Sequence, residues 1–200
     1  AVVVAGFFVY IQPSTSDDDI DVTPDIGQVP PEVDTTAQPY VSSTSTDRYV
    51  ININIAPTGV GVIDSANRTR VQQNAAEVIA MATSVDSVVA PYEYSVSSQK
   101  YSDSQSGIDS QVLSMYQYTG GAHGMVNFST TVYDTDTGKI YELTDILHQE
   151  EASVQYLYEK TQEIVSEFNP DNVWVEEGSG TDWSNYELFY VREGGITIIF

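Results

Sequence analysis

Tyr49, Ile51, Ile53 and Ile55 alternate with Val50, Asn52 and Asn54, the period of a strand with one buried face. Pro57, Gly59 and Gly61 break the pattern. Val71, Ala75, Val78, Ile79, Ala82, Val85 and Val89 then recur at three- and four-residue spacing, which predicts a helix over 65–89. Asp64 or Ser65 can cap its start, and Pro91 ends it. Residues 92–98 and 111–118 read as strands separated by a polar segment, 99–110. Residues 126–133 and 139–143 form a hairpin around Asp134-Thr135-Asp136-Thr137-Gly138, where Gly138 supplies a positive φ. A second helix fits 150–168, with Val154, Leu157, Tyr158, Thr161, Ile164, Val165 and Phe168 on its inner stripe and Asn169-Pro170 as its stop. Residues 186–191 and 196–200 make a last hairpin through Arg192-Glu193-Gly194-Gly195. Strands grouped in hairpins with two helices between them predict an α+β domain, its sheet mainly antiparallel, over 48–200.

The ends of the chain follow other patterns. Residues 1–11 form an apolar run about half the length a spanning helix needs. We read it as the remnant of a transmembrane anchor or of a signal segment; a buried strand is the competing reading. Residues 12–47 hold eight acids, five prolines and no Lys or Arg. Such a segment cannot bury enough apolar surface to offset its ordering entropy, so it is expected to be a disordered, self-repelling linker. Flanks of membrane helices that lack Lys and Arg lie outside the cell, which predicts an extracytoplasmic domain held by the N-terminal segment alone, or a secreted one if that segment is a signal. The apolar run 196–200 at the other end is expected to be a truncated strand.

Charge narrows the function. The chain has 29 Asp and Glu against 7 Lys and Arg, a formal charge of −22, and the predicted domain alone carries 21 acids against 7 bases. A surface this acidic repels phosphate backbones and anionic lipid, which excludes nucleic-acid binding and flat membrane docking. Cysteine is absent and histidine occurs twice, so thiolate catalysis, Cys-ligated zinc and a multi-His metal centre have no residues to build on. No P-loop, dinucleotide fingerprint, nucleophile elbow or His-Glu-x-x-His stretch is present. No catalytic residue, metal or cofactor is predicted. His148 reads as a surface or capping residue beside the second helix, and Asp134-x-Asp136-x-Gly138 as a turn rather than a calcium loop, since the distal ligands are missing.

Two clusters could carry a contact. In Tyr116-Gln117-Tyr118-Thr119-Gly120-Gly121-Ala122-His123-Gly124, the glycines let backbone come close to another group and His123 sits among them. A plain strand connection and a partner contact both fit. The acidic segment 171–182 carries Trp174, with Trp183 just beyond, as an interaction loop or as lids on the core.

The stretch Tyr118-Thr119-Gly120-Gly121-Ala122-His123-Gly124, then Tyr133-Asp134-Thr135-Asp136-Thr137-Gly138-Lys139, then Leu143-Thr144-Asp145-Ile146-Leu147, resembles the PdaC/RsiV family over roughly residues 92–200. The final Gly195-Ile196-Thr197-Ile198-Ile199-Phe200 resembles that family's late strand, and the Pro/Tyr-rich loop and last strand that follow it in the family are not in this sequence. The resemblance implies an extracytoplasmic bacterial domain behind a single membrane anchor. In RsiV-type anti-sigma factors that domain binds lysozyme and exposes the protein to regulated proteolysis. In PdaC-type proteins it is the accessory, non-catalytic neighbour of a peptidoglycan deacetylase. The first role makes the expected partner a cationic cell-wall-active protein such as lysozyme, with Tyr118, Gly120, Gly121, His123, Trp174 and Trp183 as the expected contacts.

Overall fold

The computed structural model describes residues 38–147, 151–168 and 180–200, and of 151, 152 and 165–168 the backbone only. The fold is α+β. Strands β1 (Tyr40–Ser45), β2 (Tyr49–Ile55), β3 (Tyr92–Asp103), β4 (Ile108–Tyr118), β5 (Met125–Asp134) and β6 (Ile140–Tyr141) form one sheet in that order. All neighbours are antiparallel except β2 and β3, which run parallel because helix α1 (Gly61–Ser84) carries the chain back between them. A short helix α2 (Leu143–Leu147) and a longer α3 (Glu151–Phe168) follow, then a 3-10 helix (Trp183–Tyr186) and a separate hairpin of β7 (Phe189–Arg192) and β8 (Gly195–Ile198).

The two faces of the sheet are covered differently. On one face Ile51, Ile53 and Ile55 of β2, Tyr94 and Val96 of β3 and Leu113 and Met115 of β4 pack under Val71, Ala75 and Val78 of α1. On the opposite face the β7–β8 hairpin crosses β3, β4 and β5. The rings of Tyr101 and Tyr190 stack there at 4.2 Å, Val112 and Ile199 close around them, and the Val191 amide donates to Ser110 Oγ at 2.9 Å. Helix α3 buries Val154 and Leu157 against Phe189, Val191, Ile196 and Ile198 of that hairpin, with Tyr186 and Leu143 alongside.

The structure moves several boundaries. The segment expected to be linker up to residue 47 ends in β1, whose Tyr40 pairs with Ile55. β1 is an edge strand exposed at most positions, so its Ser and Thr give no apolar signal; Thr46 Oγ1 then accepts from the Arg48 and Tyr49 amides and closes the turn into β2. Helix α1 begins at Gly61 rather than residue 65. Neither Asp64 nor Ser65 caps it: the N-cap is Val60, and Asp64 Oδ1 instead accepts from the Thr58 amide and hydroxyl at 2.7 Å, tying the entry loop to the first turn. The helix stops at Ser84, before Val85 and Val89: Val85 is already extended, and the Arg48 guanidinium takes up the freed carbonyls of Ala82 and Val85.

The polar segment 99–110 is not a connection. β3 and β4 continue through it to a tight turn at Gly107, φ +71°. Within it Lys100 Nζ lies 2.7 Å from Asp109, and just beyond it buried Gln111 accepts from Asn67 Nδ2 at 2.8 Å while donating to the Ala56 carbonyl at 2.6 Å. The hairpin at Gly138 forms as expected, with Asp134 Oδ1 accepting from the Asp136 and Thr137 amides at 2.8 Å. Tyr186, expected to open a strand, ends the 3-10 helix, which Asp182 caps through the Ser184 amide. The anchor remnant, linker residues 12–37, His148 and Trp174 lie outside the described residues. Among the described residues no helix is long and apolar enough to cross a membrane.

Candidate functional site

The glycine-rich motif is the loop joining β4 to β5. Tyr118 forms the last rung of the β3–β4 ladder, opposite Glu93. Gly120 has φ +89°, and a Cβ there would meet the Tyr92 ring at 3.1 Å. At Gly124 a Cβ would fall 2.4 Å from the Tyr116 ring, closer than real Cβ contacts come. The close approach that the glycines permit is therefore to two tyrosine rings of the chain itself. At Gly121 a Cβ would meet only the His123 carbonyl oxygen, at an ordinary contact distance of 3.8 Å. His123 is exposed, and its Nδ1 lies 3.2 Å from the Gly124 carbonyl oxygen.

Trp183 belongs to a different place. Half-buried on the 3-10 helix, it packs beside the α3 core and lines a cleft of about 590 Å³ between the first turns of α1, the Thr130–Val132 stretch of β5 and the β6–α2 corner. Thr131 is six residues along β5 from Met125, roughly 20 Å at a strand's rise, so the motif loop and Trp183 do not share a site.

The motif loop adjoins a surface that the sequence reading passed over. The β7–β8 hairpin covers only the part of its sheet face near Tyr101 and Val112. The rest is open, and forms a groove of about 360 Å³ across β1, β2, β3 and β4. Ser43, Asn52, Asn54, Ser95, Ser97 and Ser114 line it, with Tyr116 at the end nearest the motif loop. The signal was present in the sequence as neutral polar residues at alternate positions, Asn52 and Asn54, Ser95 and Ser97.

The electrostatics outside this groove are one-sided. Each of the seven bases has an engagement within the chain. Arg48 closes α1, Arg68 lies over the Tyr40 ring, Arg70 donates to Ser129, Lys100 pairs with Asp109, and Lys139 sits 4.5 Å from the Tyr141 ring centre. Lys160 pairs with Glu163, whose carboxylate raises the lysine's pKa, and Arg192 acts on Tyr101. Only two carboxylates among the described residues make an ion pair, Asp109 and Glu163.

Burial, rather than any catalytic arrangement, governs the shifted tyrosines. Desolvation raises Tyr133, with the Asp109 and Asp64 carboxylates adding to it. Burial and the neighbouring Tyr190 push Tyr101 up to about 12. Among the described residues no three His, Asp or Glu side chains come together as a metal site.

No family model matches the chain, and no curated protein matches it. Among solved structures it is similar to a DUF3298 family protein from Pseudomonas aeruginosa, at 19% identity and a TM-score of 0.47, over 74% of this chain and 75% of that one. It is also similar to a member of the DUF3298 family from Bacteroides fragilis, at 15% identity and a TM-score of 0.38, over 98% of this chain and 90% of that one. The likeness to the PdaC/RsiV family rests on the sequence motifs alone.

Proposed function

We propose that this chain is a non-catalytic, extracytoplasmic capture domain of a bacterial envelope protein, RsiV-like in role, and that it binds a strongly basic cell-wall-active protein of the lysozyme kind. One observation carries the reading: the sequence sets 29 acids against 7 bases, and among the described residues only Asp109 and Glu163 make an ion pair with one of those bases. A surface so unbalanced raises the local concentration of a cationic protein and speeds its docking, and the effect weakens as salt screens it. The motif loop and the acidic 171–182 segment remain the contacts we assign to this partner.

The test is calorimetric titration of the chain with a cationic lysozyme at about 0.01 M and about 0.15 M ionic strength. Binding that is tight at the lower value and weaker at the higher supports capture. No heat at either removes lysozyme as the partner.

A further inference from the structure

We infer that the open half of the sheet carries a second binding site, for an uncharged oligosaccharide, laid across β1 to β4 beside the Tyr116 ring. The chemistry of the face singles out this ligand. On the strands that line the groove, the side chains pointing into it are hydroxyls, amides and a tyrosine, with the exposed Val41 at the β1 edge. The carboxylates on the same face stand at its margins: Glu93 at the motif-loop end, bonded to Ser95 Oγ at 3.0 Å, and Asp103 beyond the Tyr101 stack. In a chain of −22 charge, a solvent-facing sheet surface without a charge at its centre neither attracts a basic protein nor repels a neutral one.

Its hydrogen-bonding capacity is unspent. Ser43 Oγ donates to Asn52 Oδ1 at 2.9 Å, which holds that amide upright. The side chains of Asn54, Ser97 and Ser114 have no partner among the described residues, so their donors and acceptors are presented to whatever lies on the face. Tyr116 adds an aromatic body with a polar tip, the combination that accepts a pyranose ring on its face and a hydroxyl at its end. Gly124 pins that ring in place, since any larger residue would collide with it. Four strands span about 14 Å, the reach of a short oligosaccharide rather than of a single small molecule.

The experiment titrates the full chain with chitohexaose while following backbone amide shifts, at about 0.01 M and about 0.15 M ionic strength. The expected result is saturable binding, with shifts concentrated on β2, β3 and β4, and an affinity that salt leaves unchanged. Ser97→Glu and Asn54→Asp place a charge at exposed positions, so both variants should keep the wild-type circular dichroism spectrum. Each is expected to weaken chitohexaose binding by about tenfold, having put an unmatched carboxylate against the sugar. Absence of binding overturns the inference, as does binding that both variants retain or that collapses with salt. Lysozyme capture depends on other groups and on low salt, so either site can fail alone.

Discussion

The same face of the same strands does two opposite things. Near the β3–β4 turn it presents Tyr101, Val112, Phe128 and Val132, and the β7–β8 hairpin and α3 lie over it. Farther along the strands it presents Ser95, Ser97, Ser114 and Asn54, and the groove stays open. Pleat, register and hydrogen bonding are continuous between the halves. The difference lies in the side chains at every second position, which decide whether covering the sheet releases water from apolar surface or strips partners from polar groups. An uncovered neutral half is thus written into the strands themselves.

The largest test of that contrast is a matched pair. Tyr190→Ala removes the ring stacked on Tyr101 and is expected to cost about 3–5 kcal/mol in chemical denaturation, the range for deleting a buried aromatic. Ser97→Ala, on the open half of the same strand, should change stability by less than about 0.5 kcal/mol. Equal effects would mean that the open half is covered as well.

A smaller effect is expected at the motif loop. Gly124→Ala drives a methyl into the Tyr116 ring and should cost about 1–3 kcal/mol, as overpacking does. The same change at Gly121 makes only an ordinary contact with the His123 carbonyl oxygen and should cost far less, so the pair reads out which glycine supports the tyrosine platform.

The smallest is a pH effect on the covered side. Burial raises Tyr94, Tyr101, Tyr133, Tyr141 and Tyr186 above the ordinary tyrosine value. The unfolded chain ionises its tyrosines from about pH 10, while the folded chain holds these protonated. Their contribution is therefore complete below about pH 10 and lost as pH rises through the folded values. Alkaline unfolding should begin there, and Tyr133→Phe should move its midpoint upward. A midpoint unmoved in that variant would assign the alkaline transition to the other tyrosines.

What the sequence made legible follows from how strongly each segment commits to one environment. β2 and the stripe of α1 combine a single period with one buried face, and both were readable. β1 was not, because this edge strand, exposed at four of its six positions, is mostly Ser and Thr after Tyr40 and has no apolar period to show. The ends of β3 and β4 were hidden by polar residues that find each other inside the fold, Lys100 with Asp109 and Asn67 with Gln111. The first pairing needs the β3–β4 register and the second joins positions 44 residues apart, and local pattern registers neither. The capping role expected of Asp64 failed for a local reason: its carboxylate is taken by Thr58, six residues upstream in the entry loop. For the site, the motif was visible and fitted both a strand connection and a partner contact; that its glycines accommodate the rings of Tyr92 and Tyr116 is set by the folded strands and not by the local sequence.

Capture of a basic partner by an unbalanced acidic surface is the central claim, and the association rate tests it most directly. Stopped-flow mixing of the chain with a cationic lysozyme across ionic strengths from about 0.01 M to about 0.15 M should show an association rate constant that falls steeply with salt, while the dissociation rate changes little. An association rate that ignores salt, or no association at any ionic strength, would contradict it.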